Sequence, residues 1–115
     1  MMGAIAGDIV GSVYEHRPIK TTDFPLFGPR SRFTDDSVLT VALTDAILGG
    51  RSYRDAVLRW GRRYPDAGYG GAFVRWLQAD EPMPYHSWGN GSAMRVGPVG
   101  WAFDDEDEVL RQAKL

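Results

Sequence analysis

Residues 34–50 read Thr34-Asp35-Asp36-Ser37-Val38-Leu39-Thr40-Val41-Ala42-Leu43-Thr44-Asp45-Ala46-Ile47-Leu48-Gly49-Gly50. Leu39, Ala42, Leu43, Ala46 and Ile47 recur at helical spacing, which predicts a helix over 35–48 with one core-facing stripe. Thr34 supplies an N-cap oxygen, and Asp35 and Asp36 fall in the first turn, where the helix dipole favours negative charge. Gly49-Gly50 supply the stop. The same opening residues set two carboxylates and two hydroxyls side by side. Hard oxygen donors at that density suit Mg²⁺ or Mn²⁺. The capping and metal readings are compatible. Adjacent Asp side chains leave a helix about 100° apart, so they cannot chelate one ion in parallel. They could bridge two ions, or divide between an ion and a water. A full coordination sphere needs about six oxygens, so other segments must contribute.

Upstream, residues 2–15 read as a glycine-rich helix. Met2, Ala6, Ile9 and Val13 share one face; Asp8, Gly11, Ser12 and Glu15 share the opposite one. Three glycines in a helix cost roughly 1 kcal/mol each against Ala, which is expected only where a backbone or ligand comes close. Glu15, on the face with Asp8, is the best further metal ligand, against the plain reading of a solvated Glu. Asp8, among small apolar neighbours, reads equally as a structural hydrogen-bonding group. Residues 16–33 carry Pro18, Pro25, Gly28 and Pro29 and form a loop, long enough in a compact domain to suggest function.

Downstream, Ser52 caps a third helix with Asp55 three residues on, and Tyr53, Ala56, Val57, Trp60 and Tyr64 line its buried face until Pro65. A short helix over 70–78 places Phe73, Trp76 and Leu77. Residues 79–90 are loop, 91–103 a weak helix interrupted by Gly97-Pro98, and Asp104 or Asp105 caps a last helix running to the final residue. No stretch alternates with period two, so the class is all-α, a single multi-helix domain over 1–115. The string Gly89-Asn90-Gly91-Ser92-Ala93-Met94-Arg95 lies about 55 residues beyond Thr34. It reads either as a turn into a helix or as a small-residue loop whose N–H groups approach a phosphate or sugar.

Composition narrows the chemistry. The chain has 115 residues, 43% hydrophobic and 24% charged, enough for one modest core. A net charge of −2 and no Lys/Arg stripe argue against nucleic acid as a partner. With no cysteine, disulfides, thiol nucleophiles and thiolate metal sites are excluded. No apolar run approaches the ~20 residues of a membrane span, and Asp8 interrupts the apolar N-terminus, so a cytoplasmic location is expected. His16 and His86 have no second ligand at metal spacing. The acidic run at 104–108 reads as a solvated helix cap.

Three strings together resemble the ADP-ribosylglycohydrolase family: Gly3-Ala4-Ile5-Ala6-Gly7-Asp8-Ile9-Val10-Gly11-Ser12 with Glu15; Phe33-Thr34-Asp35-Asp36-Ser37; and Gly89–Arg95 running into Gly97-Pro98. They span nearly the whole chain in family order. The resemblance implies an orthogonal multi-helix fold holding two Mg²⁺ or Mn²⁺ ions. It implies removal of ADP-ribose from a modified protein or small ADP-ribosyl compound by cleaving the bond at the ribose anomeric carbon. Thr34, Asp35, Asp36 and Glu15 would be metal ligands, the three acids serving catalysis, and Asn90, Gly91, Ser92 and Met94 would line the diphosphate and ribose. The family's second metal string, Asp-x-Asp followed by Ser or Thr, has no counterpart; Asp105-Glu106-Asp107 is followed by Glu108. An N-terminal portion of such an enzyme is therefore expected, with fewer ions held. Apolar faces of the helices at 2–15 and 35–48 would be covered by a second copy or a complementary C-terminal fragment. An inactive ADP-ribose-binding module and a plain structural domain stay open as alternatives.

Overall fold

The helix begun by Thr34 organises the chain, because four of the other helices pack directly on it. In the computed structural model, which describes all 115 residues, seven helices and no strand follow in order. They are α1 (Met2–Gly11), α2 (Asp35–Gly49), α3 (Tyr53–Arg63), α4 (Gly71–Gln78), α5 (Gly91–Met94), α6 (Gly97–Ala102) and α7 (Glu106–Ala113). The all-α class read from the periodicity is the class observed. None of the helices is long and apolar enough to cross a membrane.

Helix α2 lies at the centre. Leu39, Ala42 and Leu43 join Val57 of α3 in a buried cluster, with Tyr53, Trp60, Tyr69, Phe73, Trp76 and Met94 packed around it. Helices α1, α3, α5 and α6 all pack on α2. The caps follow the sequence signals. The Thr34 hydroxyl accepts from Asp36 N, the Ser52 hydroxyl from Asp55 N and the Asp105 carboxylate from Glu108 N. Gly50 ends α2 at φ 59°, a left-handed conformation that glycine adopts without Cβ strain. Helices α3 and α4 approach closely at Gly61, where an added Cβ would lie 2.7 Å from Leu77 Cδ2.

Three expectations are corrected and one is narrowed. Helix α1 ends at Gly11 rather than continuing to Glu15, because Ser12–His16 turn away, with Tyr14 N and Arg17 N bonded to Gly11 O and Tyr14 O. No second backbone approaches its glycines, since nothing lies within 4 Å of the Cβ positions of Gly3, Gly7 or Gly11, which leaves a ligand as the other reason expected for them. The apolar faces of α1 and α2 also differ. That of α2 is already buried, with Val38, Leu39, Ala42, Leu43 and Ala46 inside, whereas α1 buries no residue and Met2 stands in solvent. The side of α1 that packs is the one with Ile5, Asp8, Ile9 and Ser12. Finally, α7 stops at Ala113, before the end of the chain.

Leu39 is 1% exposed at the middle of the cluster. Leu39→Ala is expected to cost about 2–5 kcal/mol, read as a lower urea midpoint with an unchanged slope. A loss well below 1 kcal/mol would show that α2 is not the packing centre.

Candidate metal and ligand site

Asp8 is the residue on which the site is built. From the middle of α1 its carboxylate reaches the first turn of α2 and accepts four hydrogen bonds. Thr34 N (2.8 Å) and Ser37 N (3.2 Å) donate to Oδ2, which also takes a short bond from the Ser37 hydroxyl, and the Thr34 hydroxyl donates to Oδ1 at 2.6 Å. Two of the backbone donors that a helix start leaves without partners are thereby satisfied. Both donor residues are buried. Asp8 thus has the structural hydrogen-bonding role.

Both oxygens of Asp8 are engaged by the first turn of α2. The carboxylate orients that turn. The Thr34 hydroxyl divides its single proton between Asp8 Oδ1 at 2.6 Å and the more distant Asp36 Oδ2 at 3.3 Å, and accepts from Asp36 N at 3.3 Å, which leaves one lone pair unused. Asp35 and Asp36 follow in the first turn, half-buried. Asp35 N donates to Ala67 O at 2.8 Å, and an added Cβ at Gly68 would lie 3.7 Å from Asp35 Oδ1. The segment 67–69 therefore lies against Asp35. Sequence reading passed over it; the glycines of Gly68-Tyr69-Gly70-Gly71 were the available signal.

Burial pushes the Asp35 carboxyl above its usual range, and the charges of Asp36, Glu15 and Asp8 add to the shift. Asp36 is also raised, first by burial and then by Asp8 and Glu15, against the opposing Thr34 hydrogen bond. Glu15 lies past the end of α1, exposed at the surface, and its charge is felt at both first-turn acids. The loop at 16–33 holds the turn at Ser12–His16 in place. Arg32 N donates to Ser12 Oγ at 3.1 Å and Tyr14 packs edge-on to Phe24 at 5.5 Å. None of the four acids has a basic partner: the ion pairs of the chain all lie elsewhere, on Asp45, Asp55 and Glu108.

Four carboxylates gathered without a counter-charge fit a divalent cation in donor chemistry. They fit it as one side of a coordination sphere, since no three acidic or histidine side chains converge on a single point. The ligands on offer are Thr34 Oγ1, Asp35, Asp36 and Glu15.

The second string lies on the same central helix. Helix α5 packs on α2, and Met94 is part-buried against the cluster around Leu39. Met94 therefore anchors the loop. Asn90, Gly91 and Ser92 stand at its outer end, with Asn90 at the N-cap making no side-chain cap bond. The loop's hydrogen bonds stay within it, from Gly89 N to Ser87 Oγ and from Ala93 N and Met94 N to Asn90 O. Arg95 is half-buried and desolvation lowers its pKa; its Nη1 lies 3.3 Å from where a Gly91 Cβ would stand. His16 and His86 are exposed and Asp105 is a helix cap, as read from the sequence.

Comparison with known proteins decides what this arrangement belongs to. The family model for ADP-ribosylglycohydrolase matches residues 1–115. The chain belongs to the ADP-ribosylglycohydrolase family. It is similar to the ADP-ribosylhydrolase ARH3 of Bos taurus, 27% identical over 100% of this chain and 41% of that protein. The ARH3 of Homo sapiens matches at the same 27%, and that of Gallus gallus at 28%, covering 100% of this chain and 42% of the relative. The chain thus spans about two fifths of the length of the curated relatives it matches. No solved structure matches it.

Two outcomes follow. Asp8→Ala is expected to destabilise the fold by about 2–4 kcal/mol, because buried Thr34 and Ser37 donors lose a charged acceptor. The raised carboxyl pKa values set a sign. The folded chain binds protons at Asp35 and Asp36 more readily than the unfolded chain, so their destabilisation is full above the folded values and absent below the unfolded value of 3.8. In chelator, the wild type should therefore gain stability relative to Asp35→Asn/Asp36→Asn as pH falls from neutral towards that value. Thermal melts with a pH-independent gap would contradict it.

Proposed function

We propose that the chain supplies one wall of a divalent-metal site in an ADP-ribosylhydrolase, which removes ADP-ribose from a protein side chain or small ADP-ribosyl compound at the ribose anomeric carbon. The observation that carries the reading is the cluster of Asp8, Glu15, Asp35 and Asp36 without a basic partner, locked by four hydrogen bonds to Asp8. Thr34 Oγ1, Asp35, Asp36 and Glu15 would hold Mg²⁺ or Mn²⁺. When bound, such an ion polarises ribose hydroxyls and lowers the pKa of a water. The chain's own residues do the rest. Asp8 fixes the first turn of α2, so that its acids are presented in one orientation. Asp35 and Asp36 would offer their carboxylates to the ion and to the water beside it. Asn90, Gly91 and Ser92, at the solvent end of a loop seated by Met94, would meet the diphosphate and ribose.

A binding module is the second reading, and one observation favours it. The ligands face a prospective ion from one side only, since no three acids converge. For the 115 residues alone, ADP-ribose binding is therefore expected to exceed turnover. The test is release of ADP-ribose from an ADP-ribosylated peptide in Mn²⁺, beside ADP-ribose binding by calorimetry. Binding with slow release that chelator and Asp35→Asn/Asp36→Asn both abolish supports the proposal. Release untouched by either would overturn the metal reading, and absence of both binding and release would leave only a structural domain.

A further inference from the structure

Tyr69 is the one residue whose buried side-chain polar atom lacks any hydrogen-bond partner: its hydroxyl oxygen is sealed from solvent and unbonded. Leaving such a group unpaired costs about 1–3 kcal/mol, so a buried orphan hydroxyl calls for an explanation. A phenylalanine would pack equally well on Phe73, whose ring lies 5.1 Å away, and on the Leu39 cluster. The hydroxyl is therefore not there for packing.

Its surroundings point to Asp35. The backbone just before Tyr69 is latched to that residue, through Asp35 N to Ala67 O at 2.8 Å and through the approach of Asp35 Oδ1 to Gly68. The Asp35 charge acts on the phenol, which burial first and that charge second push up to about 12. A neutral phenol carries one proton that it can donate. The Asp35 carboxylate, for its part, takes part in no side-chain hydrogen bond, unlike Asp8 and Asp36. An unpaired donor thus sits one residue along from Gly68, whose backbone lies against a carboxylate with no side-chain donor.

We infer that Tyr69 is a positioning residue for the cation site: its hydroxyl donates to the Asp35 carboxylate once that carboxylate is drawn onto a divalent ion. The inference rests on the reading of Asp35 as a metal ligand. Ligating carboxylates are themselves hydrogen-bonded, and losing such a partner weakens metal affinity about 10–100-fold. The phenol would fix which oxygen of Asp35 faces the ion. It would also explain why the chain carries a hydroxyl that costs stability without a cation.

The test is Mn²⁺ titration by calorimetry on the whole 115-residue chain, with melting temperatures taken in chelator. Tyr69→Phe should bind Mn²⁺ roughly tenfold more weakly while melting no lower than the wild type, since only an unpaired hydroxyl is removed. Phe73→Leu disturbs the same ring stack and spares the hydroxyl; it should lower the melting temperature and leave Mn²⁺ affinity unchanged. Unchanged affinity in Tyr69→Phe, with binding intact in the wild type and lost in Asp35→Asn, would overturn this inference and leave the metal reading standing. A wild type that binds no Mn²⁺, or an Asp35→Asn that binds it undiminished, would overturn both. Equal loss of affinity in Tyr69→Phe and Phe73→Leu would reduce Tyr69 to a packing residue.

Discussion

A single carboxylate joins the two ends of the site. Asp8 has no partner within α1 and four across the gap, on Thr34 and Ser37. Hydrogen bonds to charged acceptors are among the stronger ones in proteins, and these lie in a part-buried setting where they are less screened by water. Helix α1 buries no residue, so the apolar effect does little to hold it. What fixes it to α2 is largely this polar latch, supported by Ile5 and Ile9. The same latch determines where Asp35 and Asp36 point, because they follow Thr34 on the same helical turn.

The arrangement sets stability against function. Bringing Glu15, Asp35 and Asp36 near Asp8 raises the proton affinity of the two first-turn acids and leaves them without a cationic neighbour. Asp45 is compensated differently: it takes Arg51, Arg59 and the Trp60 ring N–H. The contrast is local. Asp45 faces two arginines and the site acids face none, which is the imbalance that the proposed divalent ion would answer.

Much of this was legible in the sequence, for identifiable reasons. The helices at 35, 53, 71 and 106 carry side-chain caps or periodic apolar stripes, and both are local signals. The pairing of Thr34 with the first turn of α2 could be read for the same reason. The end of α1 could not, because its glycines favour no boundary, and the turn at Ser12–His16 is set by contacts with the loop at 30–33. The Asp8 latch spans 26 residues, and no local pattern encodes a bond at that separation. Tyr69 was hidden likewise: its neighbour Asp35 is distant in sequence, and an aromatic between glycines reads as a turn. That Met94 would also pack against the core was not legible either, because it sits in a string of small polar residues and its apolar partners are distant in sequence.

The central claim is that Asp8 holds the first turn of α2 before any cation arrives. Amide hydrogen exchange at Thr34 and Ser37, followed by NMR in chelator, measures this directly. Both amides are expected to exchange slowly in the wild type and equally slowly in Asp35→Asn/Asp36→Asn, and to lose protection in Asp8→Ala while Leu39 and Leu43 keep theirs. Rapid exchange at Thr34 and Ser37 in the wild type, at the rate of the exposed loop at 21–30, would contradict the account.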